Sequence, residues 1–136
     1  MMTFGSPTVR WTYIHPDDVA RCLAMAIDDT RAVGRRIDLG TDRPVSAVEL
    51  AGIFTRLLRR EVRPSVGSLL VIKTVGTIGG LFLPFMRDMM AMGRYFETGK
   101  YVADTKQQGE LFGPVPTIED TARRALADLE LVPRAA

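Results

Sequence analysis

The chain has 136 residues, enough for one domain that buries a sizeable core. Hydrophobic residues make up 46% and charged residues 25%, a globular balance that excludes a disordered or fibrous chain. The net charge is only +2, with Arg35–Arg36, Arg59–Arg60 and Arg123–Arg124 as the densest basic pairs, so there is no basic stripe with interleaved aromatics and a nucleic-acid surface is excluded.

The opening MMTFGSPTVRWTY has no long apolar core and no small-residue cleavage pattern, and does not read as a secretory signal. Residues 9–14, VRWTYI, alternate and carry β-branched and aromatic types, which predicts a short strand. Pro16 then suits a first helical turn, and Asp17 and Asp18 suit the positive end of a helix dipole. Val19, Leu23, Ala26 and Ile27 recur at helical spacing and predict a helix over 17–29 that buries them. The lone Cys22 falls in this helix. It excludes an internal disulfide and a cysteine-rich zinc site, it reads as packing, and it points to a reducing compartment.

Residues 35–39, RRIDL, predict a second strand, ended by Gly40. Ser46 and Glu49 form an S-x-x-E capping box that opens a helix through about Arg60. Its inward residues are expected to be Val48, Ala51, Ile53, Phe54, Leu57 and Leu58. Residues 61–66 predict a third short strand. Strand, helix, strand, helix implies parallel strands joined by a right-handed crossover, here the edge of a larger sheet.

Residues 66–86, VGSLLVIKTVGTIGGLFLPFM, carry one charge, Lys73. The length suits a membrane span, but Lys73, Gly79–Gly80 and Pro84 oppose one, so buried helices are expected, with peripheral membrane contact as the alternative. The following RDMMAMGRYF is helical in character, and its methionines suit adaptable packing or a partner's surface.

Residues 109–120, GELFGPVPTIED, read as a rigid elbow. Phe112 anchors it, Gly113 permits the turn, and Pro114 and Pro116 bar helix. Thr117 caps a last helix that buries Ile118, Ala122, Ala125, Leu126 and Leu129.

Chemistry-bearing motifs are sparse. GTIGG at 76–80 lacks the spacing of a dinucleotide fingerprint, and no P-loop or H-E-x-x-H occurs. His15 is the only histidine, and no serine elbow accompanies it. It reads either as a turn residue or as part of a pocket rim, because loops after parallel strands face the ligand crevice. Trp11, Tyr13, Tyr95 and Phe96 read as core or as the wall of an apolar pocket.

YIHPDDVARCLAMAI at 13–27 resembles the Val/Ile-His-x-x-Asp-Val-Ala segment of extended and atypical short-chain dehydrogenase/reductases. GRRIDLGTDRPVSAVELAGIFTRLLRREVRPSV at 34–66 looks like the strand and capped helix that follow. YFETGKYVADTKQQGELFGPVPTIEDTARRAL at 95–126 is similar to the C-terminal end of the NmrA-like, NAD(P)-binding branch. The resemblance spans residues 9–131.

It implies an α/β fold: the helix-rich C-terminal lobe of a Rossmann-like fold, with two or three short parallel strands and about five helices. A single domain over 1–136 would divide into a βαβα edge at 9–66 and a helical substrate-side lobe at 67–131. The family's glycine-rich loop and Tyr-x-x-x-Lys lie upstream of the His-x-x-Asp-Val-Ala segment, and neither occurs here. Tyr95–Lys100 and Tyr101–Lys106 are spaced one residue too far apart.

The resemblance therefore implies an NAD(P)-dependent reductase or epimerase of which this chain is the substrate-side part, with no cofactor bound and no activity by itself. By position, His15, Asp17 and Asp18 would lie at the crevice, and Arg94, Tyr95 and Phe96 in the lobe over the substrate. None is expected to be catalytic, and no metal is implied. The expected partner is a cofactor domain or a second copy, in a cytoplasmic setting. The alternative function is a small interaction or membrane-peripheral protein that oligomerises through 66–86.

Overall fold

The structure, a computed structural model, describes residues 2–3, 6–66 and 84–133. The described elements run β1 (Met2–Thr3), β2 (Arg10–Trp11), α1 (Pro16–Asp28), β3 (Val45–Ser46), α2 (Ala47–Leu58), β4 (Ser65–Val66), α3 (Pro84–Glu97), α4 (Lys106–Phe112) and α5 (Ile118–Asp128). A 3₁₀ turn, Thr30–Ala32, follows α1. Most of the apolar 66–86 stretch, including GTIGG, lies outside the described residues, as does the packing expected of Met86, Met89 and Met90.

Local chemistry sets the helix ends. The Asp17 N–H donates to His15 Nδ1 at 3.3 Å, so His15 caps α1, and Pro16 occupies its first turn. Both halves of the capping box form on α2. The Glu49 N–H donates to Ser46 Oγ at 3.2 Å, and the Ser46 N–H donates to the Glu49 carboxylate at 2.8 Å. The elbow forms as well. Phe112 is buried, Gly113 takes a φ of 83°, and the Thr117 hydroxyl accepts the Asp120 N–H at 3.1 Å.

The parallel progression is corrected. β2 pairs antiparallel with β3, Arg10 opposite Ser46 and Trp11 opposite Val45. The one parallel pair among the described residues is β1 with β4, Met2 opposite Ser65 and Thr3 opposite Val66; β4 falls at the end of the strand expected over 61–66, and its partner β1 was not anticipated. Residues 35–39 form no strand. Side chains hold that segment instead. The Asp104 N–H donates to the Asp38 carboxylate at 3.4 Å, while Ile37 and Leu39 lean on a small cluster of Cys22, Leu111 and Phe112. On the other side, the Arg10–Glu49 ion pair at 2.7 Å links β2 to the first turn of α2.

The main core is Val45, Leu50, Ile53, Ile118 and Ala122, with Tyr13, Phe54 and Leu57 packed against it. The loop at 40–43 joins the two clusters. Gln108, fully buried, accepts the Gly40 N–H at 2.7 Å and donates to the Gly40 carbonyl at 3.2 Å. A Cβ at Gly40 would collide with the Thr12 methyl. Asp42 then donates its N–H to the Pro116 carbonyl at 3.0 Å and accepts the Ile118 N–H at 2.9 Å, which fixes α5 to this loop.

The buried face of α1 also differs from expectation. Asp18 and Cys22 point inward, whereas Leu23 and Ile27 are 60% and 83% exposed. Asp18 binds the Arg124 guanidinium of α5 through both carboxylate oxygens, while Cys22 and Ala26, on the same side of α1, pack against Leu111 and Phe112 of α4. Val48 and Leu129, expected inward, are exposed.

Candidate functional site

His15 is buried where β2 gives way to α1. Because its Nδ1 accepts the Asp17 N–H, the neutral ring carries its proton on Nε2, which donates to Asp128 Oδ2 at 3.0 Å. The Asp17 carboxylate lies 3.5 Å from Nδ1 and its side chain is exposed. His15 thus ties the first turn of α1 to the last residue of α5. Asp18, carried by the resemblance to the crevice, pairs with Arg124.

Beside this junction lies an apolar cavity of about 360 Å³ between α1, α2 and α5. Tyr13, Leu50, Phe54 and Ala125 form its walls, with His15 and Asp128 as polar groups. Burial pushes the Tyr13 phenol up, so it stays protonated. Thr121 also lines the cavity, and its buried hydroxyl has no hydrogen-bond partner among the described residues. Burial likewise pushes the Cys22 thiol up, against a weaker pull from Arg21, which suits packing rather than nucleophilic chemistry.

Tyr95 and Phe96 belong to a second group. The Phe96 ring lies 5.2 Å from Trp11 and 5.0 Å, edge on, from Tyr101. Tyr95 meets Tyr101 edge on at 6.4 Å. Trp11 Nε1 donates to the Phe96 carbonyl at 3.3 Å. Arg94 is exposed on the same helix. Tyr13, 6.4 Å from Trp11 by ring centroids, joins this cluster to the cavity. His15 and Asp17 are therefore brought together, as are Tyr95 and Phe96, and the two groups meet through Trp11 and Tyr13.

Asp128 escaped the sequence reading. One signal was available: a carboxylate in the last turn of a helix opposes the dipole, so it needs a partner. Phe54 was read as core and turns out also to face the cavity. Among the described residues no cluster of three or more potential metal ligands occurs, and no helix is long and apolar enough to cross a membrane.

No family model and no curated protein matches the chain. Solved structures do match, among them two of triphenylmethane reductase from Citrobacter sp., one described for bioremediation of triphenylmethane dyes and one complexed with NADP(H). Each is 17% identical, with TM-scores of 0.69 and 0.68. Each alignment covers 93% of this chain and 44% of the reductase, so the chain spans under half the length of the structures it matches. The likeness is one of fold: five helices and short strands in the arrangement that part of an NADP(H)-binding reductase also adopts.

Proposed function

We propose that this chain is the substrate-side lobe of an NAD(P)-dependent, short-chain-reductase-like protein of the NmrA-like branch, and that the nicotinamide cofactor is held elsewhere. The observation that carries the reading is the fold match over 93% of this chain to 44% of a reductase solved with NADP(H). Two features of the residues support it. The 136 residues contain no glycine-rich loop to cradle a pyrophosphate, and no Tyr-x-x-x-Lys pair. An apolar cavity borders His15, where the resemblance puts the crevice.

In this reading the lobe shapes the substrate pocket, and a dinucleotide-binding half, in the same or another chain, brings the cofactor that carries hydride chemistry. His15, Asp17, Arg94, Tyr95 and Phe96 orient or cover the substrate rather than react with it. Triphenylmethane dyes, named for the neighbour, are one substrate class to screen once both halves are together.

Titration calorimetry of the purified chain with NADPH tests the division of labour. No saturable heat is expected. Micromolar binding by this chain alone would overturn the claim that the cofactor is held elsewhere.

A second reading concerns association. Leu23 and Ile27 share one side of α1, and Val33, just beyond it, is 77% exposed. Such a stripe supports docking of a partner half or a second copy.

A further inference from the structure

We infer that the cavity between α1, α2 and α5 binds an uncharged aromatic molecule bearing one hydrogen-bond acceptor, its rings held against Tyr13 and Phe54 and its acceptor met by the Tyr13 hydroxyl. The volume, about 360 Å³, suits a one- or two-ring ligand, because small-molecule sites run from roughly 300 to 1,000 Å³. Leu50, Ile118, Ala122 and Ala125 supply aliphatic wall. Tyr13 and Phe54 supply ring faces and edges, which pair with another aromatic edge-on or offset.

The polar groups at the cavity select the ligand's own polar group. His15 Nε2 and Asp128 are bonded to each other at 3.0 Å, and His15 Nδ1 accepts the Asp17 N–H. The Thr121 oxygen is sealed from contact, the one side-chain oxygen among the described residues that is both buried and unpartnered. Tyr13 differs. Its hydroxyl has no hydrogen-bond partner among the described residues, and its oxygen is not sealed. Burial alone raises its pKa, with no hydrogen bond contributing, so the group is a protonated phenol. A phenol donates better than it accepts, because its ring draws on the oxygen lone pairs, and its complement is an acceptor. No Lys or Arg is among the residues lining the cavity, so a carboxylate would shed its hydration with no cation to replace it. An uncharged acceptor avoids that cost.

The inference rests on the proposed function only for calling this ligand a substrate. Binding itself needs no cofactor. The test uses three probes of like shape on the full chain: 2-naphthonitrile, 2-ethynylnaphthalene and 2-naphthoate. The nitrile and the alkyne are both linear and of equal length, but only the nitrile is a good acceptor.

The nitrile and the alkyne are expected to bind saturably, with the naphthoate weakest. Tyr13→Phe keeps the ring and breaks no bond within the protein, so it should fold. It should weaken the nitrile about fivefold and leave the alkyne within about twofold of its original affinity. Thr121→Val, at the sealed oxygen, should change neither. Ala125→Phe fills the pocket and should abolish binding of both, with the far-ultraviolet circular dichroism retained. If that variant fails to fold, nuclear magnetic resonance of the unaltered chain locates the probe, and the Ala122 and Ala125 methyl signals should shift. A nitrile indifferent to Tyr13→Phe, an alkyne weakened as much as the nitrile, a naphthoate that binds as tightly as the nitrile, methyl shifts confined to other parts of the chain, or no saturable binding would each overturn the inference. None of these outcomes bears on the NADPH titration, and NADPH binding would leave the probe comparison standing.

Discussion

Two buried polar side chains show how differently hydrogen bonding can act on stability. Gln108 satisfies both backbone groups of Gly40, which are themselves buried. Gln108→Leu would leave an N–H and a C=O without partners, at about 1–3 kcal/mol for each group. A loss of roughly 2–6 kcal/mol is expected in urea denaturation. Thr121 is the opposite case, since its buried hydroxyl has no partner among the described residues. Thr121→Val replaces it by a methyl group of the same shape, and should be neutral or stabilising by up to about 1 kcal/mol. Measured side by side, the two variants should move the denaturation midpoint in opposite directions, or Gln108→Leu alone should move it.

Helix starts dominate at the scale of elements, and the start of α2 has a pH signature. The Ser46 N–H, with help from Arg10, holds the Glu49 carboxyl below its usual range. A carboxyl depressed in the folded state stabilises in full above its unfolded value, about 4.3 for Glu, and that contribution is lost as pH falls through the folded value. Glu49→Gln should therefore lower stability at neutral pH and flatten the fall below about pH 4.3, as followed by denaturation at several pH values. Starts of this kind were legible because every partner is within four residues. The Ser46–Glu49 box, the Thr117 cap and the bend at Gly113 all follow from short-range rules. The inner side of α1 was not. Its apolar spacing favoured Leu23 and Ile27, but the inward side is the one that carries Asp18 to Arg124, 106 positions away, and Cys22 to Leu111 and Phe112. Strand pairing failed for the same reason. Residues 35–39 have strand composition, yet the Val45–Ser46 partner of β2 was selected by contacts that composition does not encode.

The whole molecule leaves apolar surface uncovered. Leu23, Ile27 and Val33 are exposed together with Tyr95, Tyr101 and Val102, more than isolated apolar residues on a monomer's surface require. Light scattering coupled to size exclusion should find a dimer or larger species, and Leu23→Lys with Ile27→Glu should shift it toward monomer while leaving thermal stability within a degree or so. A monodisperse monomer before substitution would remove the association reading. The candidate site was half visible at this scale. His15 could be picked out as the sole histidine at a strand end, but the cavity it borders is built from the start of α1 and the residues before it together with α2 and α5, and no local pattern announces it.

The bond between His15 and Asp128 joins positions 113 residues apart. Closing so long a loop is entropically uphill until other contacts have drawn its ends together. The cavity beside His15 therefore cannot form until α5 has been synthesised and packed, and before that point Tyr13, Leu50 and Phe54 lack the wall that Ala125 supplies.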